Sequence, residues 1–455
     1  MKRTICGLLC LSLTAAACGP ETDDETDSGT MVDAGPDVTD TGGGEAGGDT
    51  GADTAPDTAE DTGVMSDADG TPDTTDDAGP DADGGMETDD KPRLYAAVQG
   101  ANGSGYAAVD LAADRASAAE LDRTSYGQGD IALAASGDTI FAMNRRCSGP
   151  GGMADCMFDA GEVRQIGLSG GSLANDRTFT LPDGVYNPQD TARLEGSSRW
   201  AVSSYFDSRL FLFDDAGMQS SSWELSELDA GSTMMDTDPE AADMVADGDY
   251  LLVNLQRLSG FMGEENSALA VIDTANDTIV DVDPMKSGTQ PLVLPGTNSF
   301  AGLVRADADT FAVGLTGSFG MEDGEIVQVD RSAPGSYGVG DTVVTEAVLG
   351  GDLSDFVMVD QTSGFALVAG MEEGSFVTRL KYFSAGSGMA QVEEVSAIGN
   401  AAGAICLTPD ASQVWVADGA MGSKGFWGFD VDSRMAVNAE AFPPTTGTAR
   451  SCVIR

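Results

Sequence analysis

From residue 91 onward, apolar and polar residues alternate in short runs separated by turns rich in Gly, Asp and Ser. That is the pattern of half-buried antiparallel strands. Residues 267–284, SALAVIDTANDTIVDVDP, predict two strands about the turn TAND. The stretch before them, DMVADGDYLLVNL (243–255), predicts two more about DGD. A lone hairpin is marginal in water, but this one has copies. IALAASGDTIFAMN precedes EVRQIGLSGGSLANDRTFTL, and TARLEGSSRWAVSSY precedes RLFLFDDAGMQSSSWEL. FAGLVRADADTFAVGL, DFVMVDQTSGFALVAG and AICLTPDASQVWVADG each open a further unit. A seventh unit is split: RLYAAVQG, GYAAVDL and RASAAEL supply its second to fourth strands, and TARSCVIR at residues 448–455 supplies the first.

A unit of four strands recurring about every 50 residues is the signature of propeller blades. The expectation for 91–455 is an all-β fold, a seven-bladed β-propeller of four-stranded antiparallel blades closed by the C-terminal strand. VIDTANDTIV and TPDASQVWVAD resemble the repeat of bacterial YVTN-type surface β-propellers. The resemblance speaks for the fold and is nearly silent on activity, because propellers host many functions.

The first residues, MKRTICGLLCLSLTAAAC, join a basic start to an apolar run too short to span a bilayer. They resemble a bacterial lipoprotein signal with a lipobox-like AAAC. The resemblance implies a signal peptide over 1–17, a lipid on Cys18, and an exported protein held at the outer membrane or cell surface. Residues 18–90 form the next segment. Between 19 and 90 lie 24 acidic residues and no Lys or Arg. With almost no large apolar side chains there, the segment is expected to be a disordered, extended tether. DADG occurs twice within it, without the remaining ligands of a calcium loop.

Residues 91–455 hold 51 acidic and 21 basic residues, a net charge of −30. That argues against nucleic acid as a partner and leaves the lipid anchor as the expected membrane contact. The domain is expected to be monomeric. The whole sequence contains no His, which excludes a Ser-His-Asp triad and imidazole-bound metals. Export makes disulfides plausible. Cys147 and Cys156 would staple one loop, and Cys406 and Cys452 fall on the first strands of neighbouring units.

Strand order assigns the loops to two faces. Loops 1–2 and 3–4 are short. Loops 2–3 and the unit-to-unit connections are long, and long loops on a rigid scaffold commonly carry function. The long-loop face repeats Met with acids: Met262, Glu264 and Glu265; Met321, Glu322 and Asp323; Met371, Glu372 and Glu373. Hard carboxylates suit Ca2+, so a cation, a protein or a glycan is the expected ligand there; no cofactor is otherwise expected. The functional expectation is a binding or scaffold module. The alternatives are a carboxylate-dependent hydrolase or lyase and a purely structural envelope protein. Asp110, Asp214, Asp273, Asp330 and Asp430 recur where third strands end and read as turn chemistry. Trp200, Trp415 and Trp427 read as core.

Overall fold

In this computed structural model the chain divides at Gly84–Gly85 into two units, and the described residues all belong to the second. The structure describes residues 93–455 apart from 101–102, 112–117, 121–130, 137–138, 146–160, 170–171, 186, 230–237, 259–262, 264, 387–389, 396–400, 419–424 and 439–447. The expectations for the signal, the tether, Cys18, Cys147, Cys156, Met262 and Glu264 lie outside the described residues.

The fold is an all-β propeller of antiparallel sheets, four-stranded in the main, with one short α-helix, α1 (Glu346–Leu349), and one 3-10 turn (Ser226–Asp229) among the described residues. β1 (Arg93–Gly100), β2 (Gly103–Asp110) and β3 (Ala118–Glu120) begin the first sheet. The second holds β4 (Ile131–Ser136), β5 (Thr139–Asn144), β6 (Glu162–Ser169) and β7 (Ser172–Thr180). The third holds β8 (Pro188–Arg193), β9 (Arg199–Ser204), β10 (Arg209–Asp214) and β11 (Gln219–Glu224). The fourth holds β12 (Ala241–Asp247), β13 (Tyr250–Leu255), β14 (Asn266–Asp273), β15 (Thr278–Ile279) and β16 (Leu292–Thr297). Then come β17 (Gly302–Arg305), β18 (Thr310–Leu315), β19 (Glu325–Ala333) and β20 (Ser336–Thr345), and next β21 (Asp352–Met358), β22 (Ser363–Glu372), β23 (Ser375–Ser384) and β24 (Gln391–Glu394). The last sheet holds β25 (Ala401–Leu407), β26 (Gln413–Asp418) and β27 (Phe426–Asp430). The final strand, β28 (Thr448–Ile454), returns to pair with β1 in the first sheet, with Leu94 opposite Ile454 and Ala96 opposite Cys452.

Successive side chains point to opposite sheet faces, and in middle strands such as β13, β14 and β18 both sets are buried, so each face packs on the next sheet. One cluster joins the third sheet (Leu210, Leu212, Trp223) to the fourth (Leu251, Val253, Ile272). Another joins the last sheet (Trp415, Phe426) to the first (Leu94, Ile454). Five more clusters fill the remaining sheet-to-sheet contacts. The first strands touch in one closed cycle: β28, β4, β8, β12, β17, β21, β25 and again β28. Burial between sheets, rather than any central core, is therefore what holds the ring.

Two segments differ from the sequence expectation. The connection after β15 was expected to be one long loop. Within it, β16 pairs with β14 at Ala268–Val293 and Leu269–Leu292, completing the outer edge that β15 begins. The fourth strand expected after β27 reduces, among the described residues, to a single bridge between Phe429 and Ala436. The Asp turn chemistry is visible at Asp214, Asp273 and Asp430, whereas Asp330 lies within β19, whose ladder with β20 runs on past it. Asp214 Oδ1 accepts the N–H groups of Ala216 and Met218, and Asp273 Oδ1 those of Ala275 and Asn276. Asp430 Oδ1 accepts the N–H of Ser433. Trp200 and Trp415 are buried, while Trp427 is part-buried and donates its indole N–H to Asp418.

Candidate functional site: the axial channel

On the long-loop face, three of the described candidate acids have partners of their own. Glu265 pairs with Arg257 and Glu372 with Arg379. Asp323 Oδ1 accepts the Ser318 N–H at 2.7 Å within its own loop. Glu322 and Glu373 both sit at left-handed turn positions, with φ of 52° and 49°. Met321 and Met371 are 67% and 69% exposed. No group of three or more metal-ligating side chains forms among the described residues.

Cys406 and Cys452 form a disulfide, with Cα atoms 6.0 Å apart. It links β25 to β28, the strand that completes the first sheet.

Sequence reasoning passed over the inner strands, and three carboxylates there share one register. Asp190, Asp243 and Asp355 sit at or beside bulges in β8, β12 and β21. A bulge leaves backbone N–H groups without ladder partners, and the carboxylates accept them. Asp190 takes the N–H of Thr191 through Oδ1 and that of Met244, on the next inner strand, through Oδ2, both at 2.7 Å. Asp355 takes its neighbour Phe356 at 2.8 Å and reaches Ile405 on β25. Asp243 reaches Leu303 on β17 and the amide of Asn254. Each Asp thus clasps its own inner strand to the next.

The equivalent position in β17 is Gly302, at φ +103° and with Asp243 Oδ2 3.2 Å from where a Cβ would stand. In β25 it is Ala404, and there the Cys406–Cys452 bond joins the strands instead. Between β28 and β4 the Ser451 hydroxyl bridges to the Leu133 backbone. The sequence signal for these carboxylates was an Asp directly before the inner-strand run in four units: GD-IALAA, QD-TARL, AD-MVAD and SD-FVMV.

Protein surrounds all three carboxylates, although each keeps some surface toward the channel. Loss of hydration, reinforced by the charge of Asp243, pushes Asp190 and Asp355 up to about 8. Asp243 is raised as well, chiefly by the same loss of hydration. The oxygens of Asp190 are both committed to N–H donors, so the first role of this ring is to hold the inner strands together.

Immediately beyond the ring, toward the short-loop face, lies a cavity of about 700 Å3. Its deepest lining residues, Thr191 and Met244, directly follow Asp190 and Asp243. Its walls come from the ends of β4, β8, β12 and β17 and from the turn carrying Glu195 and Ser198. Arg193, Arg305 and Arg455 line it. Arg305 donates to Asp247 at 3.0 Å and to the carbonyl of Ala246. The Arg193 guanidinium lies over the Trp200 ring, 5.3 Å from its centroid, and has no carboxylate within ion-pair distance among the described residues. This cavity therefore lies on the face with short loops.

No protein-family model matches the sequence, and no curated protein matches it significantly. Solved structures do. A Bacteroides uniformis protein described as a candidate 6-phosphogluconolactonase aligns with TM-score 0.54 at 10% identity, over 80% of this chain and 100% of its own. A Bacteroides fragilis protein described in the same way aligns with TM-score 0.53 at 13% identity, over 81% of this chain and 99% of its own. At such identities the likeness establishes a shared β-propeller fold and nothing finer.

Proposed function

We propose that this chain is an exported, lipid-anchored, seven-bladed β-propeller that serves as a binding module of the cell envelope, with its ligand site in the axial cavity of the short-loop face. The lipobox-like start and the acidic tether support the location. The seven sheets and the closed cycle of inner strands support the blade count. The observation that carries the site is the cavity itself. Its volume of about 700 Å3 falls in the range of small-molecule sites, and four rigid inner strands supply its walls. A small molecule, rather than a flat protein surface, fits such a space. Calorimetric screening of small polar compounds against the wild type and Ser198→Trp, which fills the rim, tests this. Binding abolished by Ser198→Trp supports the reading; binding that survives it, or is lost only on changing residues 371–376, sinks it.

A second reading is a lactone hydrolase. The protonatable carboxyls beside the cavity and the shared fold with two candidate 6-phosphogluconolactonases favour it. A pH-stat assay with gluconolactone and its 6-phosphate decides this reading, which fails if the rate equals that of buffer.

A further inference from the structure

We infer that the axial cavity holds a small anion through a carboxylate or phosphate group, with the Arg193 guanidinium as its main contact. This rests on the cavity being the ligand site.

The domain carries a net charge of −30, and its arginines are matched to that excess. Arg199 pairs with Asp277, Arg331 with Asp247 and Asp309, Arg379 with Glu372 and Arg434 with Glu393. Arg193 departs from the pattern: an arginine in an acid-rich domain that meets an aromatic ring in place of a carboxylate. It also faces the cavity of about 700 Å3, together with Arg305 and Arg455 and a single acidic side chain, Glu195.

The support beneath Arg193 is rigid. Trp200 is 3% exposed, donates its indole N–H to Asp215 at 2.9 Å and packs edge-on against Phe141. The Arg193 backbone N–H is held by the Ser136 hydroxyl at 2.8 Å. A guanidinium stacked on a fixed ring keeps its in-plane N–H groups available, the fork geometry that meets a carboxylate or phosphate with two parallel bonds. The Ser198 hydroxyl, exposed on the rim, adds to the site. Glu195 disfavours ligands carrying charge all round and favours one acidic group beside neutral hydroxyls.

Titration calorimetry of the mature full-length chain tests this with inorganic phosphate, acetate and, as the neutral control, glucose. Phosphate or acetate is expected to bind the wild type and to weaken with added salt. Losing a charge-assisted fork in Arg193→Gln should cost about tenfold or more in affinity, with Arg193→Lys between. Preference between phosphate and acetate tells the two sources of negative charge apart. Unchanged anion binding by Arg193→Gln, at an unchanged melting temperature, overturns the inference. Glucose binding that Ser198→Trp abolishes, without anion binding, overturns the anion while keeping the cavity. If Ser198→Trp alters binding of no probe, both readings fail.

Discussion

In an Asp190→Asn variant, one of the two carboxylate acceptors of the residue that holds β8 to β12 becomes an amide donor. Asp190 takes the N–H groups of Thr191 and Met244, both at 2.7 Å. Asn can accept only one of them, and stranding a buried N–H costs about 1–3 kcal/mol. Charge acts in the other direction. The folded Asp190 carboxyl stands at about 8 against an ordinary 3.8. Between those values the folded chain binds more protons than the unfolded chain. The stability Asp190 contributes through its proton is therefore complete below its unfolded value and is lost as pH rises toward its folded one. A fully differential proton is worth about 1.4 kcal/mol per pH unit. Contact with channel water reduces this to on the order of 2 kcal/mol between about pH 5 and about pH 8. The Asn side chain does not titrate, so the variant lacks that slope. Denaturant unfolding of both proteins at the two pH values should show a deficit of about 1–3 kcal/mol at the lower pH that shrinks or disappears at the higher. A deficit that stays constant, or widens as pH rises, would refute the clasp and its buried proton.

Reduction of Cys406–Cys452, or the double Ser variant, should cost up to about 4 kcal/mol by chain entropy for its 46-residue separation; a melting temperature indifferent to reductant would contradict this. Asp247→Ala removes a buried carboxylate that accepts from Tyr337, Arg305 and Arg331. A loss of about 1–3 kcal/mol in chemical denaturation is expected, because the buried Tyr337 hydroxyl is stranded and Arg305 loses its carboxylate, while Arg331 keeps Asp309. EDTA or added Ca2+ should leave the melting temperature unchanged, since Glu265, Asp323 and Glu372 are already engaged; a clear calcium-dependent rise would restore the long-loop face as a cation site.

The ring was legible because alternation is a local signal repeated in every unit, and because TARSCVIR could only be a first strand without its own blade. β16 was not legible. PLVLPGT carries a Pro and a Gly, which read as loop, and tertiary pairing with β14 overrides that preference. Loop length singles out the long-loop face, whereas the cavity among the described residues lies at the other end of the channel. The cavity is built from inner-strand ends far apart in sequence, Ser136, Arg193, Ala246, Arg305 and Arg455, and no local motif spans them. The carboxylate clasp was visible in part, as an Asp preceding four inner strands. Its meaning needed the bulges and the neighbouring N–H groups, which only register supplies.

The central claim is that ligand binds in the axial cavity. Hydrogen exchange of the mature chain with and without saturating phosphate tests it most directly. Added protection at residues 191–198 and 244–246 is predicted. Protection confined to residues 316–324 or 371–376 on the opposite face, or none at all, would contradict the account.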